Sequence, residues 1–266
     1  MPSLADVVAL LHDWYPPGTA HSFDAVGLVA GDPDAAVATV MFAVDPTIEV
    51  AREAVEWGAD LLVVHHPLFL TPVSSVAATT PKGRTLQVLT SGGCALLTAH
   101  TNADQAEHGV SESLALALGL RDLAPIRPLA ETPATGTGRV GTIEETTLDG
   151  FAAHVAEVLP PTAHGLRVAG DRHRPVRRVA VCGGAGDFLL DELAHGDVDV
   201  FVTSDLRHHR AGEFLEHGGP ALVDVAHWAA EWTWLPVVEG RLREALGDRI
   251  ETRVSTLCTD PWSFRY

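Results

Sequence analysis

The chain has 266 residues, which is enough for one large domain or two modest domains that each bury a hydrophobic core. Its 18 Lys and Arg residues against 35 Asp and Glu residues give a formal net charge of -17, which argues against general nucleic-acid binding. The three cysteines lie far apart without a C-x-x-C motif, and no apolar run approaches the roughly 18 residues of a membrane helix. We therefore expect a cytoplasmic protein without a disulfide framework, a thiolate zinc site or a membrane partner.

The first half of the chain reads as a helix followed by alternating strands and helices. The apolar spacing from Leu4 to Trp14 predicts the first helix. A proline opens the second helix and a glycine closes it, so that the strands on either side complete a βαβ unit. The predicted elements after the first helix are a strand over 37–44, a helix over 46–58, a strand over 59–69, a helix over 83–93 and a strand over 94–100.

The second half repeats this order after residues 124–139, whose Pro, Thr, Ala and Gly content predicts a linker. "ADLLVVHHPL" aligns with "VDVFVTSDLRHH", and "ALLTAHTNAD" aligns with "ALVDVAHWAAE". Such a repeat predicts two similar α/β lobes whose strand ends face each other across one site. The predicted elements of this half are a strand over 176–184, a helix over 187–196, a strand over 197–209, a helix over 210–219 and a strand over 220–231.

Two adjacent histidines, His65 and His66, end the buried run Leu61 to Val64 just before Pro67. Ligands of open α/β sheets bind beyond the carboxyl ends of the strands, so this pair is a candidate for metal binding. Neighbouring strand side chains point to opposite sides, and each histidine would then serve a different ion. From this stretch alone, a pair that caps a helix or lines the core is the alternative.

A repeated spacing strengthens the metal hypothesis. His100 precedes Asp104 by four positions, as His227 precedes Glu231, and a helical turn places both members of such a pair on one face. Nitrogen and carboxylate donors without a thiolate suit zinc, manganese, iron, cobalt or nickel better than calcium. Five donors are about right for two ions that share a carboxylate. The candidate metal ligands are His65, His66, Asp104, His227 and Glu231.

A glycine-rich segment, "VCGGAGD", follows another predicted strand and contains Gly183, Gly184 and Gly186. Backbone N–H groups of such a segment can cradle an anion. The segment matches neither of the common phosphate-binding glycine motifs, so we predict a tight turn, with phosphate contact as the alternative.

Five motifs together resemble one known family. "SFDAVGL", "ADLLVVHHPLF", "HTNAD", "TSDLRHH" and "DVAHWAAEW" occur in the order and approximate spacing of the NGG-interacting-factor-like proteins, the dinuclear-metal hexamers known as GTP cyclohydrolase type 2 homologues. The resemblance implies two interlinked α/β domains with the metal site in the crevice between them, a toroidal homohexamer and two divalent ions per subunit. The domain limits that we expect are 1–127 with 232–266, and 128–231.

The resemblance also assigns roles to single residues. It implies that the five donors above are the ligands, with Glu231 shared, and that His100, Asp205 and His209 support them or face the substrate; we take His100 and His209 as the catalytic candidates. The chain departs from the family pattern in one loop, where Phe23, Asp24 and Ala25 stand in place of Trp-Asp-Asn.

The implied activity is metal-dependent hydrolysis of a nucleotide or a similar small molecule, with two ions activating water and a histidine moving protons. The competing class is a metal-handling protein that stores, delivers or senses an ion without turnover. A protein-binding scaffold is less favoured because it would not require five convergent ligands.

Overall fold

The computed structural model describes residues 1–266, which form thirteen strands and ten α-helices. The strands are β1 (Gly27–Ala30), β2 (Thr39–Ala43), β3 (Leu61–Val64), β4 (Ala95–Thr98), β5 (Arg121–Ala124), β6 (Arg127–Pro128), β7 (Gly136–Thr137), β8 (Arg139–Thr147), β9 (Leu166–Ala169), β10 (Pro175–Ala185), β11 (Val200–Ser204), β12 (Ala221–Val225) and β13 (Glu251–Val254). The helices are α1 (Leu4–Trp14), α2 (Ile48–Trp57), α3 (Pro81–Ser91), α4 (Thr101–Gln105), α5 (Val110–Ala117), α6 (Leu148–Val158), α7 (Leu190–Leu193), α8 (His208–Glu216), α9 (His227–Trp232) and α10 (Leu235–Leu246). The predicted α/β class is confirmed.

The chain forms two compact units. Unit 1 contains residues 1–106 and 235–259, and unit 2 contains residues 107–234 and 260–266. The chain therefore leaves unit 1 after Ala106 and returns to it at Leu235. Segment 124–139, predicted as a linker, lies inside unit 2 and includes β6 and β7. The boundaries of these units differ from the domain limits expected from the sequence. Helix α5 belongs to unit 2 because it packs on β8 and β10.

Unit 1 is built on a five-stranded sheet in the order β1-β4-β3-β2-β13. Strands β13, β2, β3 and β4 run parallel, and β1 is antiparallel to β4. All four residues of β3 are buried, as expected for a central parallel strand that is covered on both faces. The side chain of Thr47 caps the N-terminus of α2, and Gly58 ends this helix at a φ of 83°. These local signals explain why the βαβ unit was predictable.

Unit 2 is built on a six-stranded sheet in the order β5-β8-β10-β11-β12-β9. Its central strands β10, β11 and β12 are parallel, like β2, β3 and β4 of unit 1. In each unit an antiparallel strand follows the last of these three in the sheet: β1 beside β4, and β9 beside β12. A short helix also follows that last strand in the chain, α4 after β4 and α9 after β12. The repeat read from the sequence thus corresponds to a shared topology.

Several elements were not predicted. These are the strands β8 and β9, the helices α6 and α10 and the edge strand β13, for which the sequence pattern predicts no element. The strand predicted over 220–231 ends at Val225, and a helix begins at His227. None of the helices has both the length and the apolar composition needed to cross a bilayer.

Candidate metal centre

His65 and His66 of unit 1 occupy fixed positions just beyond the end of β3. The backbone N–H of His65 donates to the carbonyl of Ala43 at 3.2 Å, and that of His66 donates to the carbonyl of Val44 at 2.9 Å. These bonds continue the pairing with β2 past the end of the strand. His65 is fully buried and His66 is partly exposed. The sheet therefore fixes the backbone from which both rings project.

The Nδ1 atoms of three histidines in unit 1 are each held by an oxygen. Nδ1 of His65 lies 2.9 Å from the carbonyl of Ala99, that of His66 lies 2.6 Å from Oδ1 of Asp45, and that of His100 lies 2.8 Å from Oδ1 of Asp24. A carbonyl or an ionised carboxylate can only accept, so Nδ1 carries the proton in each neutral ring. Nε2 is then the nitrogen with the lone pair that can bind an ion.

The three rings form a cluster. Their centroids are separated by 5.0 Å between His65 and His66, 5.1 Å between His65 and His100, and 5.5 Å between His66 and His100. One ring nitrogen from each lies within 4.8 Å of those of the other two, a spacing at which they could hold one metal ion. Oδ1 of Asp104 lies 3.6 Å from Nε2 of His65 and adds a carboxylate. This donor set fits a borderline divalent ion.

The electrostatics of this cluster favour neutral rings. Burial, together with the neighbouring His65, lowers the pKa of His100 to about 4, so this imidazole is uncharged near neutral pH. Burial opposes the ionisation of Asp24, yet hydrogen bonds from Thr101 and His100 lower the pKa of its carboxyl below the ordinary value. A neutral imidazole held by an ionised carboxylate is the form in which histidine binds metals.

Unit 2 carries a second pair of donors at the start of α9. His227 is the first residue of this helix and Glu231 lies one turn later, with Nε2 and Oε1 separated by 2.8 Å. Glu231 is buried, with 2% of its surface exposed. Nδ1 of His227 lies 2.6 Å from Oδ2 of Asp205, and this hydrogen bond lowers the pKa of Asp205 despite an opposing contribution from burial. Asp205 thus orients His227 in the way that Asp45 orients His66.

The glycine-rich segment serves the packing of this pair. Gly184 lies in β10 at a φ of +70°, and a Cβ atom placed on it would lie 2.6 Å from Oε1 of Glu231 and 3.2 Å from Nε2 of His227. A Cβ on Gly183 would lie 2.6 Å from Cγ1 of Val110 on α5. The two glycines therefore let α9 and α5 approach the strand closely.

His209, one of the two catalytic candidates, belongs to α8 of unit 2. It is exposed on the first turn of α8, and its ring contacts that of His208 with 5.1 Å between the centroids. No hydrogen bond or ion pair joins it to His227 or Glu231. Its catalytic role stays a prediction.

Comparison with known proteins gives this geometry a context. A model of the family Duf34/NIF3 (NGG1p interacting factor 3) matches residues 2–261. The chain belongs to the Duf34/NIF3 family. A protein from Streptomyces coelicolor named GTP cyclohydrolase 1 type 2 homolog is 47% identical over 99% of this chain and 94% of its own length. A protein of the same name from Mycobacterium bovis is 36% identical over 98% of this chain and 96% of its own length.

Solved structures share the fold of this Duf34/NIF3 protein. A Bacillus cereus protein related to NIF3 superposes with a TM-score of 0.90 at 24% identity and covers 99% of both chains. The Staphylococcus aureus protein SA1388 superposes with a TM-score of 0.89 at 28% identity, covering 100% of this chain and 99% of its own. The resemblance stated from the sequence is therefore confirmed.

Two carboxylates of this Duf34/NIF3 protein hold histidine rings of the cluster, a contact that the sequence did not predict. Asp24, in the loop that departs from the family pattern, holds both His100 and the backbone N–H of Thr101, at 3.0 Å. Asp45 lies two residues after the end of β2 and holds His66. The contact between Asp45 and His66 could have been predicted from the sequence. The ends of adjacent parallel strands lie side by side, so a carboxylate after one strand can reach a histidine after the next.

Proposed function

We propose that the protein is a dinuclear metal-dependent hydrolase that acts on a nucleotide or a similar small molecule. The proposal is carried by one observation: in both units a histidine follows a strand end, and a carboxylate accepts a hydrogen bond from its Nδ1, which orients the ring as in metal-binding histidines. The two proposed ions are held by the five candidate ligands His65, His66, Asp104, His227 and Glu231.

Ions bound by these residues would lower the pKa of water toward neutrality and would offset negative charge that develops on the substrate. The chain itself supplies the orientation. Asp24, Asp45 and Asp205 fix the rings of His100, His66 and His227. We propose that His100, whose Nδ1 is held by Asp24, faces the substrate as a catalytic residue.

The name of the relatives, GTP cyclohydrolase 1 type 2 homolog, supports a nucleotide as the substrate class. Hydrolytic opening of a purine ring and cleavage of a phosphoester would both use the same metal ions and the same oriented histidines. We propose a toroidal homohexamer as the working assembly and the cytoplasm as its location.

The test is turnover of a panel of nucleotides and phosphoesters by purified protein loaded in turn with zinc, manganese, iron, cobalt or nickel. Hydrolysis of at least one compound with at least one metal is expected. No turnover with any metal, combined with rapid transfer of the ions to an acceptor protein, would instead support metal handling.

Glu231→Gln tests the proposed ligands directly. A carboxylate offsets the mutual repulsion of two nearby cations, so removing its charge is expected to weaken the binding of both ions and abolish hydrolysis. Glu216→Gln removes the same charge from an exposed position on α8 and should change neither property. Two tightly bound ions in Glu231→Gln, shown by elemental analysis, would contradict the assignment.

A further inference from the structure

A cavity of about 410 Å³ lies beside His66 in unit 1. Its walls come from the segment after β2, the residues that follow β3 and the first turns of α2 and α3. We call it the His66 cavity. Its volume lies within the roughly 300–1,000 Å³ of pockets that hold small ligands. His66 thus faces both the histidine cluster and a space that can hold part of a molecule.

Two free cations line the His66 cavity. Lys82, the only lysine of the chain, and Arg84 belong to the first turns of α3. Both are exposed, and the structure gives neither side chain an ion pair or a hydrogen bond. The chain has 35 acidic and 18 basic residues, yet these two cations on one helical turn have no acidic partner. Their positive charge favours the binding of an anion.

The acidic members of the wall do not neutralise both cations. Asp45 is bound to Nδ1 of His66 and accepts a hydrogen bond from Oγ1 of Thr259. Glu49 is the remaining carboxylate, and it is exposed. The first turns of α2 and α3 also line the cavity, and the N–H groups of a first helical turn have no partner within their own helix, which favours negative charge there.

We propose that the His66 cavity binds the phosphoryl group of the substrate through Lys82 and Arg84. The inference rests on the proposed function and narrows its substrate class to phosphorylated molecules, with the phosphoryl group next to His66. Ammonium and guanidinium groups form the charge-assisted hydrogen bonds that phosphate oxygens accept most strongly. Inorganic phosphate offers the same oxygens, so the test must separate the free ion from a phosphorylated substrate.

The experiment is calorimetric titration of the metal-loaded protein with guanosine, GMP, GTP and inorganic phosphate. The variants are Lys82→Gln, Arg84→Gln and their combination. Arg52→Gln is the matched control, because Arg52 is an exposed arginine of α2 that does not line the cavity. Elemental analysis of every variant checks that the metal content is unchanged.

The double variant should raise the Kd of GMP or GTP by about tenfold or more, as expected for the loss of two charge-assisted hydrogen bonds. The Kd of guanosine should stay the same, and Arg52→Gln should behave as wild type. Glu49→Gln should lower the Kd of the nucleotide by about two- to threefold, because it removes the opposing charge.

Equal nucleotide affinity in the double variant and in Arg52→Gln would overturn the proposal, as would a wild type that binds neither nucleotide. Tight binding of inorganic phosphate that nucleotides do not displace would also overturn it, since the site would then serve the free ion. These readouts do not depend on turnover. If the double variant loses nucleotide binding and no compound is hydrolysed, the cavity proposal stands and the hydrolase proposal fails; hydrolysis with unchanged binding gives the reverse result.

Discussion

Asp45 and Asp205 each accept a hydrogen bond at 2.6 Å from Nδ1 of a histidine, one in each unit. The carboxylate fixes the ring and its tautomer, and it raises the basicity of the opposite nitrogen. An aspartate in this position would influence how tightly an ion is held without touching the ion. We therefore expect both residues to tune the proposed metal donors His66 and His227.

We expect Asp45→Asn to weaken metal binding by about 10–100-fold, because the amide can accept from Nδ1 but brings no negative charge to the ring. Titration of metal-free protein followed by elemental analysis measures the change. Asp34→Asn, which neutralises an exposed carboxylate of unit 1, is the control and should match wild type. Unchanged affinity in Asp45→Asn would show that the hydrogen bond to His66 has no role in metal binding.

A second expectation concerns acid stability without metal. The pKa of His100 is about 4 in the folded protein, against 6.5 for an ordinary histidine. The unfolded chain binds this proton more tightly, so the stability contributed by the neutral ring is present above about pH 6.5 and is lost as the pH falls toward 4.

When the pH falls from about 7 to 4, the unfolding free energy of metal-free wild type should therefore decrease. In metal-free His100→Gln this decrease should be smaller by roughly 2–3 kcal/mol. Urea unfolding across this range measures the difference. His154→Gln, an exposed histidine of α6, should follow the wild-type curve. Identical pH slopes for wild type and His100→Gln would rule out this contribution.

The sequence predicts some members of the candidate centre and misses others for a physical reason. His65 and His66 are visible because they interrupt an apolar strand, and His227 and Glu231 because their spacing fits one helical turn. The contact between Asp24 and His100 joins residues 76 positions apart. Such a contact depends on how a loop folds back on the sheet, and no local period encodes it.

At the scale of elements, β10 and α9 meet where Gly184 leaves room for the Glu231 carboxylate. Gly184→Ala is expected to destabilise the protein by about 1–3 kcal/mol and to weaken metal binding, because the added methyl displaces Glu231 or strains a backbone at positive φ. Thermal unfolding and metal titration measure both effects.

Gly212→Ala is the matched control for this substitution. Gly212 lies in α8, and a Cβ atom there would meet nothing within 4 Å. Alanine inside an exposed helix should stabilise the protein by roughly 0.5–1 kcal/mol. Two variants that differ in the sign of their effect would separate crowding at α9 from the general effect of adding a methyl group. A stabilised Gly184→Ala with normal metal binding would refute the packing argument.

The sequence pattern predicts some helices and strands more clearly than others. The buried parallel strands β3 and β11 are continuous apolar runs, and α2 has a Thr cap and a terminal glycine. Strand β8, in contrast, contains "TIEETT", with exposed and partly exposed residues toward its end. Edge and half-exposed strands lack a continuous apolar run, so their place is set by pairing with a neighbour that lies far away in the chain.

At the scale of the whole molecule, we expect an assembly larger than a dimer. A subunit has a mass of 28.2 kDa, and the segment after β3 exposes three large apolar side chains: Leu70, Val73 and Val76. Exposed apolar clusters commonly mark contact surfaces between subunits. Light scattering at micromolar concentration should give a mass above two subunits, and a monomer would contradict the proposed hexamer.

The order of the chain has a consequence for synthesis on the ribosome. Strand β13 pairs in parallel with β2, yet more than 200 residues separate their positions in the sequence. All strands of the second sheet emerge before β13, so the nascent chain carries an open edge on β2 until β13 has been synthesised. An unpaired edge can capture a strand from another chain. Premature termination after Trp234 should therefore yield a polypeptide that aggregates through β2, even though every strand of its second sheet is present.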